Sequence, residues 1–448
     1  MAAEPEAIIQ SWIKTRLGAA VLSIERQGRW RPAWFVDAEK GGEKLEIYVR
    51  GARLGYVPYD LPREWRIHRL LESGGVRVPR LYGYIDEIPA IVMARVAGRS
   101  NLGTADSEAD RASVREQLAE QMALMHGLDA APFRQAGLRW PSDPADTTLS
   151  FFNDVHEIYR TNRRRPDPRF AFIGRWLERN PRVYCDTPHY IACDAGQFMF
   201  DGPRLTAMID LELSILGDPM ADLAALRVRG QREPLGDLPS LYRLYGEKRG
   251  RAVDFDAVRY QTIAFAAAGA MASVLNVEKY LANPTPDEDY VEYLTWVEWQ
   301  LKQAYEAMAE YLGWELIPFQ PPLPETNWGH DALEALANNL AALDETGTSA
   351  AYRKRIAQSG ASYLDRLLTV GRQCEADYLN DAKTILGWRP KDSREADALL
   401  EEHVLRAGAE EDESLFHLLH AAVARRCFLL ATPSSLYLDG LIKPLARI

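Results

Sequence analysis

Cysteine is scarce in this chain. Its four cysteines, Cys185, Cys193, Cys374 and Cys427, form no Cys-x-x-Cys pair and have no histidine at ligand spacing. That excludes a disulfide framework and a thiolate zinc site, so all four read as reduced thiols, with Cys193 a small packing residue. Positive charge is also short: 53 Lys and Arg against 64 Asp and Glu leave a formal charge of −11, which argues against nucleic acid or an anionic membrane as partner. No apolar run approaches the roughly 20 residues of a membrane span, and the N-terminus lacks the basic start and apolar core of a leader. A cytoplasmic protein without membrane association is expected. At 448 residues the chain exceeds what one hydrophobic core usually supports, so two or three domains are expected.

The acidic residues that are present include a suggestive pair. Asp194 stands just before the apolar run Phe198 to Phe200, Asp201-Gly202-Pro203 turns the chain, and Leu205 to Ile209 returns it so that Asp210 emerges near Asp194. Phosphoryl transfer needs such a pair, one carboxylate to orient the attacking hydroxyl and one to hold the magnesium that bridges the phosphates. Spacing alone supports equally well two solvated loop acids flanking an ordinary hairpin.

Residues 204 to 223 contain Met208-Ile209-Asp210-Leu211-Glu212, then Gly217-Asp218-Pro219, then Asp222-Leu223. This resembles the Ile-Asp-Trp-Glu, Gly-Asp-Pro and Asp-Leu signature of the aminoglycoside phosphotransferase and choline kinase-like superfamily. The resemblance spans roughly residues 20 to 320. It implies an α+β fold, bilobal and protein-kinase-like, with a small β-rich N-lobe and a helical C-lobe. It also implies an ATP- and magnesium-dependent phosphotransferase acting on a small-molecule hydroxyl, with Asp194 as catalytic acid/base, Asp210 as main magnesium ligand and Gln197 as the side-chain metal ligand. Relatives modify aminoglycosides, choline, amino-alcohols, sugars and hydroxyacyl thioesters, and the acceptor here stays open.

The catalytic segment departs from the family pattern. His-Gly-Asp reads Ala192-Cys193-Asp194, and Gln197 follows Asp194 by three residues where the family has an Asn or Gln about five residues on. The histidine that braces the loop is missing and the loop is shortened. Two alternatives therefore stand beside the kinase: a pseudokinase serving as a nucleotide-sensing or scaffolding subunit, and a kinase-like fold redirected to nucleotidylation.

Ahead of this segment, Ala20 to Ile24, Ala33 to Ala38 and Lys44 to Arg50 read as strands of a small sheet accompanied by one helix. The turn holding Gly28, Arg29 and Arg31 falls where a kinase-like nucleotide loop lies, though with a single glycine; a solvated basic hairpin tip fits it equally. Alternation places Leu45, Ile47 and Val49 on one face and Tyr48 and Arg50 on the other. The resemblance makes Arg50 the residue that pairs with nucleotide phosphates and Glu64, in the first turn of the helix from Leu61 to Leu71, the carboxylate that holds it. A surface helix with a favourable N-terminal carboxylate is the alternative for Glu64. The stretch Ala90 to Arg99 resembles the interlobe linker, where main-chain groups of Ala94 and Val96 meet the adenine edge.

From about residue 107 the period is helical, over Ala109–Leu128, Phe151–Tyr159, Arg169–Arg179, Met220–Val228, Ser240–Tyr245 and Asp256–Leu275. His126 reads as a helix-end residue, and Asp218 and Asp222 as caps of the next helix and its loop. The Pro-rich stretch 316 to 324 marks a boundary, and Asp331–Leu343, Ala350–Ala382, Ala396–Leu405 and Leu415–Leu430 follow as amphipathic helices. The expected domains are an N-terminal nucleotide-binding lobe over 1–98, a catalytic and acceptor lobe over 99–320, and a helical domain over 321–448. That last domain is expected to complete the acceptor pocket, to dimerise or to dock a partner enzyme.

Overall fold

The computed structural model describes residues 4–28, 31–52, 60–284, 289–325, 328–344 and 348–448. A five-stranded antiparallel sheet forms from β1 (Ala20–Arg26), β2 (Ala33–Lys40), β3 (Glu43–Gly51), β4 (Leu81–Ile85) and β5 (Ala90–Ala94), in the order β1-β2-β3-β5-β4. The β2–β3 turn closes on Gly41 and Gly42, both at positive φ (60° and 86°), the left-handed backbone a tight hairpin needs. The pleat of β3 sends Ile47 and Val49 into a core with Val36, Ala38, Ile9 and Ile13, and leaves Tyr48 and Arg50 on the opposite face.

Ile9 and Ile13 belong to a helix, Pro5–Trp12, which runs on as a π-turn through Leu17. The expectation of a single helix in the first hundred residues is thus corrected. Pro5 in the first turn and the apolar positions 9, 12 and 13 carry its signal. The expected helix, second in the chain, spans Leu61–Ser73, with the Asp60 side chain accepting from the Arg63 amide at 2.6 Å and Pro62 in the first turn.

The segment that carries the acidic pair folds as two short ribbons. β6 (His189–Ile191) pairs with β9 (Ile215–Gly217), and β7 (Phe198–Asp201) pairs with β8 (Arg204–Met208) around the turn at Gly202 and Pro203. Arg99 exchanges backbone hydrogen bonds with Phe200 (2.8 and 2.9 Å), fastening the chain after β5 to the hairpin. Gly98 makes that approach feasible, since a Cβ there would stand 2.2 Å from the Phe200 carbonyl oxygen.

Contacts group the chain into two compact units. One is Met1–Thr147 with Cys185–Asp254, and the other is Thr148–Tyr184 with Phe255–Ile448. These limits differ from the expected boundaries at 98/99 and 320/321. The reason lies in the helix Tyr290–Leu312, which apolar spacing does not mark because Glu298, Lys302 and Gln303 are buried in it beside apolar residues. A helix buried on so many sides needs cover, and Phe255–Ala282 and Asp412–Leu430 supply it. The helices after the Pro-rich stretch are therefore part of the same core as helices before it. Within that core Arg169 pairs with Glu298 at 2.6 Å, and Arg163 forms a two-pronged pair with Glu401 at 2.5 and 2.7 Å. The expected long helix 350–382 is two, Thr348–Arg366 and Arg372–Leu386, joined by a π-turn. Phe255–Ala282 is long and apolar enough to cross a membrane by composition, but 78% of its most apolar window is buried inside the protein.

Candidate active site

The hairpin turns two acidic side chains toward one another, and Gln197 joins them. Its Nε2 donates to Asp194 Oδ2 at 2.7 Å and to Asp210 Oδ2 at 3.0 Å, while its own backbone accepts from the Ile209 amide. The three-residue spacing is what permits this, because the Gln197 amide closes a turn back onto the Asp194 carbonyl at 2.9 Å. Asp194, Gln197 and Asp210 are therefore brought together as expected.

Arg50 and Glu64 also meet. Arg50 Nε lies 2.9 Å from Glu64 Oε1, and its Nη2 lies 2.5 Å from Asp210 Oδ1 and 3.5 Å from Glu212 Oε2. Both members of the Arg50–Glu64 pair are buried, as strand β3 ends under the first turn of Leu61–Ser73. Arg31, for which a nucleotide loop and a solvated basic tip are equal readings of the sequence, is 2% exposed and pairs with Glu212, which rules out the solvated tip for this residue. The sign of charge explains this: Asp210 and Glu212 stand together and draw two guanidiniums.

Those cations set the protonation of the site. Burial works against ionising Asp210, but Arg50 and Arg31 outweigh it, aided by hydrogen bonds from Arg50 and Gln197, and hold the carboxyl well below the usual range. Burial likewise opposes charge on Arg50, which Glu64, Asp210 and Glu212 together keep protonated. On the same helix as Glu64, His68 is pushed down to about 4, by burial first and by Arg50 in part, and sits 2.7 Å from the Pro79 carbonyl oxygen.

The loop before Asp194 has a brace, though not the family's histidine. Asp222, fully buried, accepts the Ala192 amide on Oδ2 at 3.0 Å and the Cys193 amide on Oδ1 at 2.7 Å, and His126 Nε2 meets Oδ2 as well at 3.0 Å. Asp222 is thus no helix cap, and His126 is more than a helix-end residue; its Nδ1 also bonds Tyr245 at 2.7 Å. Asp218 does cap, accepting the Met220 amide at 2.9 Å. Among the described residues only Cys193 and Asp210 combine a non-glycine side chain with positive φ (59° and 58°). Backbone in that sparse region concentrates where neighbours over-determine it.

A cavity of about 490 Å³ opens beside these groups, walled by Gln27, Phe35, Tyr48, Arg50, Met93 to Val96, Gln197, Asp210 and Arg229. Its wall includes Ala94 and Val96 as expected. The Ala94 amide, however, is spent on the Arg80 carbonyl at 2.8 Å, so Ala94 has only its carbonyl to offer a base, whereas the Val96 amide has no backbone partner among the described residues. Of the nucleotide-loop candidates, Gln27 rather than Gly28 reaches the cavity wall, and Arg29 lies outside the described residues. Sequence reasoning missed Arg229, which donates two hydrogen bonds to Asp194 from 35 residues away and carries no local signal.

The donor set suits a hard divalent cation. Asp210 and Gln197 present a carboxylate and an amide at the cavity wall, and magnesium asks of protein only one or two such oxygens beside phosphate and water. Gln197 would have to turn its amide so that oxygen replaces nitrogen. No group of three His, Cys, Asp or Glu ligands occurs among the described residues.

A carboxylate pair on a hairpin, a buried arginine–glutamate pair and a cavity between sheet and hairpin stand together in a kinase-like fold. The sequence profile of the phosphotransferase enzyme family, APH, matches residues 25–255, over half of the chain, and the chain belongs to that family. Rat (Rattus norvegicus) acyl-CoA dehydrogenase family member 11 is 26% identical over 226 residues, a stretch that is 46% of this chain and 28% of the rat protein. The chain thus spans less than a third of that relative's length. A Ralstonia eutropha JMP134 protein of the aminoglycoside phosphotransferase type has the same fold, with 19% identity, 69% of this chain and 98% of its own covered, and a TM-score of 0.51. A choline/ethanolamine kinase family protein of Mesorhizobium loti gives 17% identity, 69% and 97% coverage, and a TM-score of 0.47.

Proposed function

We propose that the protein transfers the γ-phosphoryl group of ATP, with magnesium, to a hydroxyl of a small molecule. The observation that carries this reading is the Asp194–Gln197–Asp210 bridge on the wall of a cavity that also holds the Arg50–Glu64 pair. Asp194 orients the acceptor hydroxyl, whose oxygen bonds to the γ-phosphorus as the bond to the bridging β–γ oxygen breaks; ADP leaves with that electron pair, and the hydroxyl proton passes to the carboxylate. Arg50, held by Glu64, steadies the phosphates. Asp210 and, with its amide turned, Gln197 would hold the magnesium, which would offset charge on the phosphate oxygens. The Asp222–His126 brace stands where the family's histidine is missing, and supports an active loop over a pseudokinase. Among acceptors, a hydroxyacyl thioester ranks first for testing, because the curated relative is named for acyl-CoA.

The test follows heat stability while ATP is titrated. At a ligand concentration a hundred times Kd, stabilisation of about 2.7 kcal/mol is expected with magnesium and much less without it. Asp210→Ala is expected to remove the magnesium-dependent part. A shift indifferent to magnesium, or unchanged in Asp210→Ala, would overturn the reading. Product mass then separates an added phosphate from an added nucleotide.

A further inference from the structure

The catalytic loop is short, and a side chain from a distant helix occupies the space. Arg229, in the last turn of Met220–Gly230, donates Nε to Asp194 Oδ1 at 2.8 Å and Nη2 to Asp194 Oδ2 at 2.6 Å, while Nη1 reaches Glu233 at 3.1 Å. Such a fork fixes the plane of a carboxylate, which a single hydrogen bond does not. Burial opposes charge on Arg229, but Asp194 and Glu233 raise its pKa all the same. Its stem crosses Gly196, where a Cβ would stand 2.5 Å from Arg229 Cδ. The backbone at 196 is not left-handed, so glycine serves there to make space and not to permit a conformation.

Three of the guanidinium's five N–H groups are used in these bonds, leaving one on each Nη nitrogen. Arg229 lines the same cavity as Arg50 and Asp210. Among the described residues Asp194 Oδ1 accepts only from Arg229, and it keeps a lone-pair direction for a hydroxyl donor.

We propose that Arg229 is a further catalytic residue: it holds Asp194 toward the acceptor hydroxyl, and its two remaining N–H groups bind the phosphoryl group in transit. This rests on the phosphotransfer reading above. The planar fork matches phosphate oxygens better than a lysine would, which accounts for arginine at this place. The competing role, a lock that withholds Asp194, predicts the opposite response to removal.

The test needs no acceptor. Affinities of the full-length protein for magnesium–ADP and for magnesium–ADP with aluminium fluoride, a mimic of the phosphoryl group in transit, are measured by calorimetry. Wild type is expected to bind the fluoride complex more tightly. Arg229→Gln is expected to lose about 10- to 100-fold of that gain while keeping its affinity for ADP alone. Gly196→Ala, which displaces the stem and leaves every charge in place, and Arg229→Lys, which keeps the charge and loses the fork, are expected to fall between, and they carry the comparison should Arg229→Gln not fold. Full retention of the gain in these variants, a tighter complex in Arg229→Gln, or no gain in wild type overturns the proposal. Absence of any magnesium-dependent nucleotide binding in wild type overturns the phosphotransfer reading with it.

Discussion

Single residues in this site are held by charge more than by shape. Arg50 serves Glu64, Asp210 and Glu212 at once, and all four groups stand largely out of water. Removing one member of a buried ionic cluster leaves the others uncompensated, so Arg50→Met is expected to cost about 3–5 kcal/mol of stability at pH 7, read from the denaturant midpoint. A loss under about 1 kcal/mol would mean that the carboxylates find water once the arginine is gone. Arg50 and Glu64 were legible in the sequence because strand alternation and a helix first turn place them, and the motif says why they meet. Arg31 was not: no acidic residue stands beside it in sequence, and only the return of the chain at residue 212 reveals the carboxylate that pairs with it.

At the scale of elements, the loop from Ala192 to Gln197 is positioned from outside itself. Asp222 binds two successive amides of the loop, and His126 reaches Asp222 from another helix. Cys193 keeps its φ of 59° where the family carries glycine, because those two amide bonds over-determine the backbone. Asp222→Ala would take the partner from two buried amides and from His126 Nε2. It is expected to cost about 3 kcal/mol or more, and to weaken magnesium–ATP stabilisation in the same thermal titration that tests Asp210. Full nucleotide response in a destabilised Asp222→Ala protein would show that the brace serves folding and not the site. The brace escapes a reading of the loop alone because Asp222 and His126 stand 30 and 66 residues away from Ala192 in sequence, on helices whose own patterns are unremarkable in spacing.

Across the whole chain, acid should weaken both compact units. His68 in the first unit, and His156 and His420 in the second, are each pushed down to about 4, in every case by burial first. An unfolded histidine titrates near 6.5, so between there and about 4 the unfolded chain binds more protons than the folded one. Stability is then complete above about 6.5 and declines as pH falls toward 4, by at most about 3 kcal/mol per histidine. Asp210, held low by its arginines, adds its own loss only below the ordinary carboxylate range. Thermal unfolding followed at pH 7 and pH 5 is expected to show lower midpoints at pH 5, and equal midpoints would count against neutral buried histidines.

The sequence by itself determined the family and singled out Asp194 and Asp210 as a candidate pair, since hairpin chemistry and the Ile209 to Pro219 motif are local and a period of two or of 3.6 can be read along the chain. Tertiary structure alone decided where the compact units divide, what braces a loop that lacks its usual histidine, and that an arginine 35 residues on grips the Asp194 carboxylate. Ion pairs and burial depend on which segments return to one place, and charge attracts across space without leaving a period in the sequence.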